Sequence, residues 1–191
     1  MRTSFLSPGL PVPPHLKSFA RRFLRDDRGF TAVEFALVAM PFLMLLFGTI
    51  AVGLFFFTTF SLENAVEKAS RQVRTGQAQT AGKTTSQFKQ DICGYAPSFV
   101  DCANNIRINV VSSPSFSGAA SMAAACTNSG GDLIPEPTPS PVPGGAGDVV
   151  LVTVCYEWEM TKMLPFLDLG NMGSGSRLIR ATTTFRTEPY N

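Results

Sequence analysis

The stretch RDDRGFTAVEFALVAMPFLMLLFGTIAVGLFFFTTF, residues 25–60, decides the fold. Glu34 is its last charged residue, and the 26 positions from 35 to 60 carry none. At a rise of 1.5 Å per residue that run makes about 39 Å of helix, enough to cross a hydrocarbon core of roughly 30 Å with tilt. It exceeds the roughly 7–15 residues of a secretory apolar region, and no small-residue cleavage site follows it, so it is expected to stay in the mature protein. Glu34 therefore stands at the threshold of an apolar solvent, where a charged side chain costs about 2.5–3.5 kcal/mol on insertion scales. Either it finds a partner, or it reaches back one turn to the interface. Pro41 removes one backbone hydrogen bond and is expected to kink the helix, which a membrane span tolerates. Ala32 with Ala36, and Thr49 with Gly53, are small pairs at helical spacing where a second helix can come close.

Working outward, the pattern changes after Phe60. In SLENAVEKASRQVRT, residues 61–75, Leu62, Ala65, Val66, Ala69 and Val73 fall on one face and the charges on the other. The same helix is expected to continue, now one-sided, and to end near Gly76. On the other flank, Leu16, Phe19, Ala20, Phe23 and Leu24 recur at helical spacing against Lys17, Arg21, Arg22 and Arg25, the pattern of a basic amphipathic helix on an inner leaflet. A basic leader without structure is the alternative reading. Residues 1–14 hold four prolines and no reason to fold.

Charge gives the orientation. Residues 1–29 hold six Lys/Arg against two Asp, whereas the rest of the 191-residue chain is slightly acidic. A basic flank beside a span is expected in the cytoplasm, with residues 76–191 across the membrane. All four cysteines, Cys93, Cys102, Cys126 and Cys155, lie on that far side. An even set in a small exported domain points to disulfides, with free buried thiols as the alternative, and the spacings match no zinc pattern. Of the three connectivities, Cys93 with Cys102 and Cys126 with Cys155 is preferred.

The exported part reads as α then β. Phe88, Ile92 and Tyr95 mark one face of a short helix that Pro97 closes off. Ile106, Ile108 and Val110 alternate with Arg107 and Asn109 as a strand with one buried face. Residues 111–147, rich in Ser, Ala, Gly and Pro, read as an extended, exposed and flexible loop. In DVVLVTVCYEWEM, Val150, Val152, Val154, Tyr156, Trp158 and Met160 form one apolar stripe; in SRLIRATTTFRTE, Ile179, Ala181, Thr183 and Phe185 form another. Joined by a loop over 162–175, these suit an antiparallel pair, with the strand at 106–110 as a third. A sheet with one apolar face then meets the one-sided half of the helix, so the expected class is α+β and pilin-like.

At residues 25–38 the segment RDDRGFTAVEFALV resembles the N-terminal segment of the TadE-like proteins, minor pseudopilins of the Tad (Flp) branch of type IV pilus systems. VLVTVCYEW (150–158) and ATTTFRTEPY (181–190) resemble the closing strands and the RNEPY-type ending of that family. The resemblance implies cutting by a prepilin peptidase after Gly29, which makes Phe30 the new N-terminus and puts Glu34 at the fifth position of the mature chain. Flp pilins carry Glu-Tyr there; this chain has Glu34-Phe35. Glu34 then gains a partner, the ammonium at Phe30 of its own or a neighbouring subunit. The implied role is assembly of a Tad/Flp-type pilus at the bacterial inner membrane, by initiation or capping, through contacts with Flp-type pilin, other minor pseudopilins and pilus assembly platform proteins. The second reading is a single-pass, membrane-anchored periplasmic binding or scaffolding protein that never enters a filament.

Enzymatic chemistry is not expected. The single histidine, His15, lies in the leader, so the exported part has no imidazole for a nucleophile–base device. Glu157 and Glu159 read as carboxylates sharing a solvated strand face, and NMGSGSR lacks the strand-to-helix context of a phosphate loop. No cofactor, metal set or nucleic acid partner is expected.

Overall fold

Leu62, Ala65, Val66, Ala69 and Val73 all lie buried along one side of a single helix, α1 (Phe30–Arg74), in the computed structural model, which describes residues 30–163 and 169–190. The expectations for 1–29, including the basic helix at 16–24, the leader and the cleavage position at Gly29, lie outside the described residues, as does 164–168 in the last loop. The helix continues through Pro41. The chain divides into two units, Met1–Ile50 and Ala51–Asn191. What is described of the first is the inner part of α1, whose side chains are exposed or half-exposed throughout.

In the second unit the buried side of α1 packs on a three-stranded antiparallel sheet: β1 (Ile106–Ser113), β2 (Val149–Trp158) and β3 (Arg177–Arg186), in the order β1-β2-β3. Register sets Val152 opposite Val110 on one side and Thr183 on the other. Because side chains alternate along a strand, this pairing brings Ile106, Ile108, Val150, Val152, Val154, Ile179 and Ala181 to the face that meets the helix. A single turn, α2 (Gln77–Thr80), leads to α3 (Thr85–Tyr95), which starts on a capping box. There the Thr84 hydroxyl accepts from the Gln87 N–H, while the Gln87 side chain accepts from the Thr84 N–H. Phe88 and Ile92 of α3 enter the core, whereas Tyr95 is 51% exposed beside the ammonium of Lys68, so the third member of that face is not a core residue.

Four sequence expectations are corrected. The first strand runs on to Ser113 and is followed by α4 (Phe116–Ser121), so 111–147 is not loop throughout. The Pro-rich part of that segment is extended but anchored: Pro141 bridges to Thr84, the Val142 N–H donates to the Lys83 carbonyl, and Val142 is buried. Secondly, β2 is buried on both faces, since Val149 and Leu151 pack with Ala119 of α4 on the side away from α1. Near-continuous apolar sequence is what a doubly covered strand requires, and VVLVTVC has it. Thirdly, Met160 leaves the stripe because β2 stops at Trp158 and a 3-10 turn (Glu159–Met163) follows. The same stop means, fourthly, that Glu157 and Glu159 share no strand face.

The four cysteines form two disulfides, Cys93–Cys102 and Cys126–Cys155. The first closes the loop after α3; the second ties the segment beyond α4 to β2. At the far end of α1 the chain turns at Gly76, whose φ of 76° is left-handed. The C-terminal segment folds back onto this corner. The Glu188 N–H donates to the Arg74 carbonyl at 2.8 Å, one of the carbonyls a helix end leaves without an internal partner, and the Tyr190 hydroxyl donates to the Gly144 carbonyl.

Candidate functional site: the exposed apolar half of the helix

Phe30, Glu34 and Phe35 stand at the start of α1, with Phe30 73% and Phe35 74% exposed. Four residues of helix separate Phe30 from Glu34, about 6 Å along the axis, so the two lie one above the other on one face. Among the described residues no cation pairs with Glu34. From Phe35 to Phe60 the helix carries no charged side chain, and α1 is the one described helix long and apolar enough to cross a membrane. The hydroxyls within that charge-free run are satisfied internally: those of Thr49, Thr58 and Thr59 donate to the carbonyls of Leu45, Leu54 and Phe55 at 2.8–2.9 Å. In hydrocarbon an unpaired hydroxyl would be costly, and this local bond removes the cost. Of the small pairs, Gly53 has open space where a side chain would be, which leaves its backbone accessible.

The other sequence candidates are dispersed. Glu157 accepts a hydrogen bond from the Ser174 hydroxyl at 2.8 Å and lies 3.8 Å from Lys162, which pairs more closely with Glu159 at 2.8 Å. Burial pushes the Glu157 carboxyl up, but hydrogen bonds from Ser174 and Ser176 and the charges of Lys162 and Arg107 outweigh it and hold the group below its ordinary value. That is a structural network at the end of a strand, not an acid–base pair. NMGSGSR forms a turn, closed by the Gly175 N–H on the Met172 carbonyl, that feeds β3. No cluster of His, Cys, Asp and Glu able to hold a metal occurs among the described residues.

Two arrangements escape sequence reading. Tyr190 covers Gly76, whose missing side chain leaves room for the ring. Phe99, in the loop closed by Cys93–Cys102, sets its ring 5.9 Å from that of Phe57 on α1. A hydrophobic residue inside a short disulfide loop is the available signal for the second; the first has none beyond the glycine itself.

Comparison with known proteins bears on the helix. Neither the curated proteins nor the solved structures yield a match. A family model described as TadE-like protein matches residues 29–71, that is, the residue before α1 and all of the helix but its last turn. Over residues 29–71, which hold the whole apolar run and most of the one-sided half, this chain is similar to the TadE-like proteins.

Proposed function

We propose that the chain is a minor pseudopilin of a Tad/Flp-type pilus system, cut after Gly29 by a prepilin peptidase and acting in the initiation or capping of pilus assembly at the inner membrane. Residues 1–29 are then a cytoplasmic leader, 30–75 the span with its amphipathic extension, and 76–191 the periplasmic domain. The observation that carries the reading is Glu34, one turn beyond Phe30 on an exposed apolar helix within the family match. Cutting creates an ammonium at Phe30, and in a low-dielectric seam that ammonium and the Glu34 carboxylate offset each other's desolvation when they are close and well placed. A charge pair in an apolar seam also favours one register between neighbouring helices, as a buried polar residue does in a coiled coil. Two disulfides beyond the span support an oxidising compartment for the domain. The partners that follow are Flp-type pilin, other minor pseudopilins and the platform proteins, met helix to helix.

N-terminal sequencing of the protein expressed with and without the peptidase tests the cut. A mature chain beginning at Phe30 only when the peptidase is present is expected; a full-length chain that still supports piliation refutes it. Glu34→Ala is expected to weaken copurification with sheared pili while membrane insertion is kept. Unaltered piliation with this substitution would remove the specific role of Glu34.

A further inference from the structure

The second unit begins to cover α1 well before the apolar run ends. Ala51 is 2% and Thr58 1% exposed, yet charge-free sequence lasts to Leu62. Helix length fixes where this overlap falls. Counted from Phe35, just past Glu34, about 30 Å of helix ends at Leu54, and counted from Phe30 it ends near residue 50. Tilt draws later residues deeper. The outer boundary of the hydrocarbon core therefore lies within or just before residues 51–57, and the next several residues of helix lie in the headgroup layer.

That level of the second unit is rich in exposed rings. Phe56 is 51%, Phe57 55% and Phe60 65% exposed, with Phe56 and Phe60 stacked. Phe99, 54% exposed, comes from elsewhere in the chain: a turn closed by the Val100 N–H on the Pro97 carbonyl holds it beside Phe57. Val100 points into the core and Cys93–Cys102 closes the loop behind, so the geometry anchors the loop while leaving its aromatic tip outside. The nearby Asp101 carboxylate accepts from the Ala103 and Asn104 N–H groups, which ties that charge to its own turn. Burial within this domain does not account for four exposed rings at one level, and patches of this kind mark contact surfaces.

We propose that Phe56, Phe57, Phe60 and Phe99 form a collar that seats the second unit on the phospholipid surface, with the Phe99 loop inserted at the boundary between headgroups and acyl chains. The occupant is lipid because the collar is continuous with the span: Ala51 directly follows Ile50, so at any angle of the domain residues 55–60 remain within a few helix residues of the hydrocarbon. Amphipathic elements with aromatic side chains sit about 5–10 Å into this boundary. The collar would fix the tilt and rotation of the helix as interfacial anchors do. This inference needs the helix to cross a membrane; it does not need the pilus role.

The test places the full chain, one copy per disc, in nanodiscs of phosphatidylethanolamine and phosphatidylglycerol carrying a nitroxide either near the head or near the tail of the acyl chain. Trp158 is the single tryptophan and packs 5.6 Å from Phe55, so the unsubstituted chain already has a depth gauge. A second chain, with Trp158→Phe and Phe99→Trp, moves the reporter to the loop tip. Loss of emission from both reporters, greater with the shallow nitroxide than with the deep one, is expected. Emission untouched by either nitroxide, in a chain that stays in the disc, overturns the collar. Shielding of the loop reporter only when several copies share a disc assigns the surface to protein contacts and also overturns it. A chain that fails to enter discs at all would instead refute the membrane-spanning reading.

Discussion

Substituting Gly76 by alanine tests how the end of the chain holds the end of the helix. Gly76 has a φ of 76°, and a Cβ built there would fall inside van der Waals contact of three carbons of the Tyr190 ring. A left-handed conformation costs a non-glycine residue about 1–2 kcal/mol. Forcing a methyl into an occupied space typically costs about 1–3 kcal/mol more. Gly76→Ala is therefore expected to destabilise the second unit by about 2–5 kcal/mol, a large part of the roughly 5–15 kcal/mol that a domain commands. The two contributions separate in a Tyr190→Ala background. With the ring gone only the backbone cost of about 1–2 kcal/mol remains, so the double-mutant cycle should show a coupling of about 1–3 kcal/mol. Urea unfolding of the full chain in detergent, followed through Trp158, measures all four proteins. Equal cost of Gly76→Ala in both backgrounds would refute the claim that Tyr190 occupies the space glycine leaves.

The disulfides should differ in worth. Cys126–Cys155 joins residues 29 apart and Cys93–Cys102 residues 9 apart. Chain-entropy arithmetic gives about 3.6 and about 2.6 kcal/mol respectively, so replacing the longer pair by serines should cost about 1 kcal/mol more in the same urea assay. Leu62 is fully buried between α1 and the sheet, and Leu62→Ala should cost about 2–5 kcal/mol while leaving the protein in the membrane fraction. Glu157 has a lowered folded-state pKa, so its contribution is complete above the ordinary value of 4.5 and is lost as pH falls through the folded value. Glu157→Gln should accordingly flatten the acid-side fall in unfolding midpoint, and an unchanged pH profile would refute the role of that network.

Much of this architecture is legible because its cause is periodic. The one-sided face at 62–73, the alternation at 106–110 and the stripes from 150 to 158 and at 179 and 181 each announce a surface that must be covered, and in the fold they cover one another. What escapes is covered by something aperiodic. The second face of β2 is sealed by Ala119 and a disulfide strap, and nothing in FSGAAS or the segment after it marks a partner for Val149 and Leu151. Nor does composition reveal that the Pro-rich segment is anchored, since its contacts with residues 83–85 are two backbone hydrogen bonds, which most residue types can make, and one from the Ser140 N–H to the Thr85 hydroxyl. Glu34 is legible as an anomaly from its charge alone, whereas the partner proposed for it is a terminus that the uncut sequence does not contain.

On the proposed lipid collar, the overlap between the apolar run and the folded unit explains why hydropathy alone misplaces the junction. On that reading residues 51–60 face two low-polarity surroundings, the protein core and lipid. Ala51, Phe55 and Thr58 turn toward the second unit, while Phe56, Phe57 and Phe60 turn outward. Both sides demand apolar groups, so the sequence shows no amphipathic signal until one side meets water, at Glu63 and Glu67. Thr58 betrays the difference only through its environment: its hydroxyl is bonded to the Leu54 carbonyl, an arrangement equally suited to lipid and to a protein core. The helix therefore carries no charge from Phe35 to Phe60, although its surroundings change within that run. Glu63, Glu67 and Lys68 are the first charges after that run.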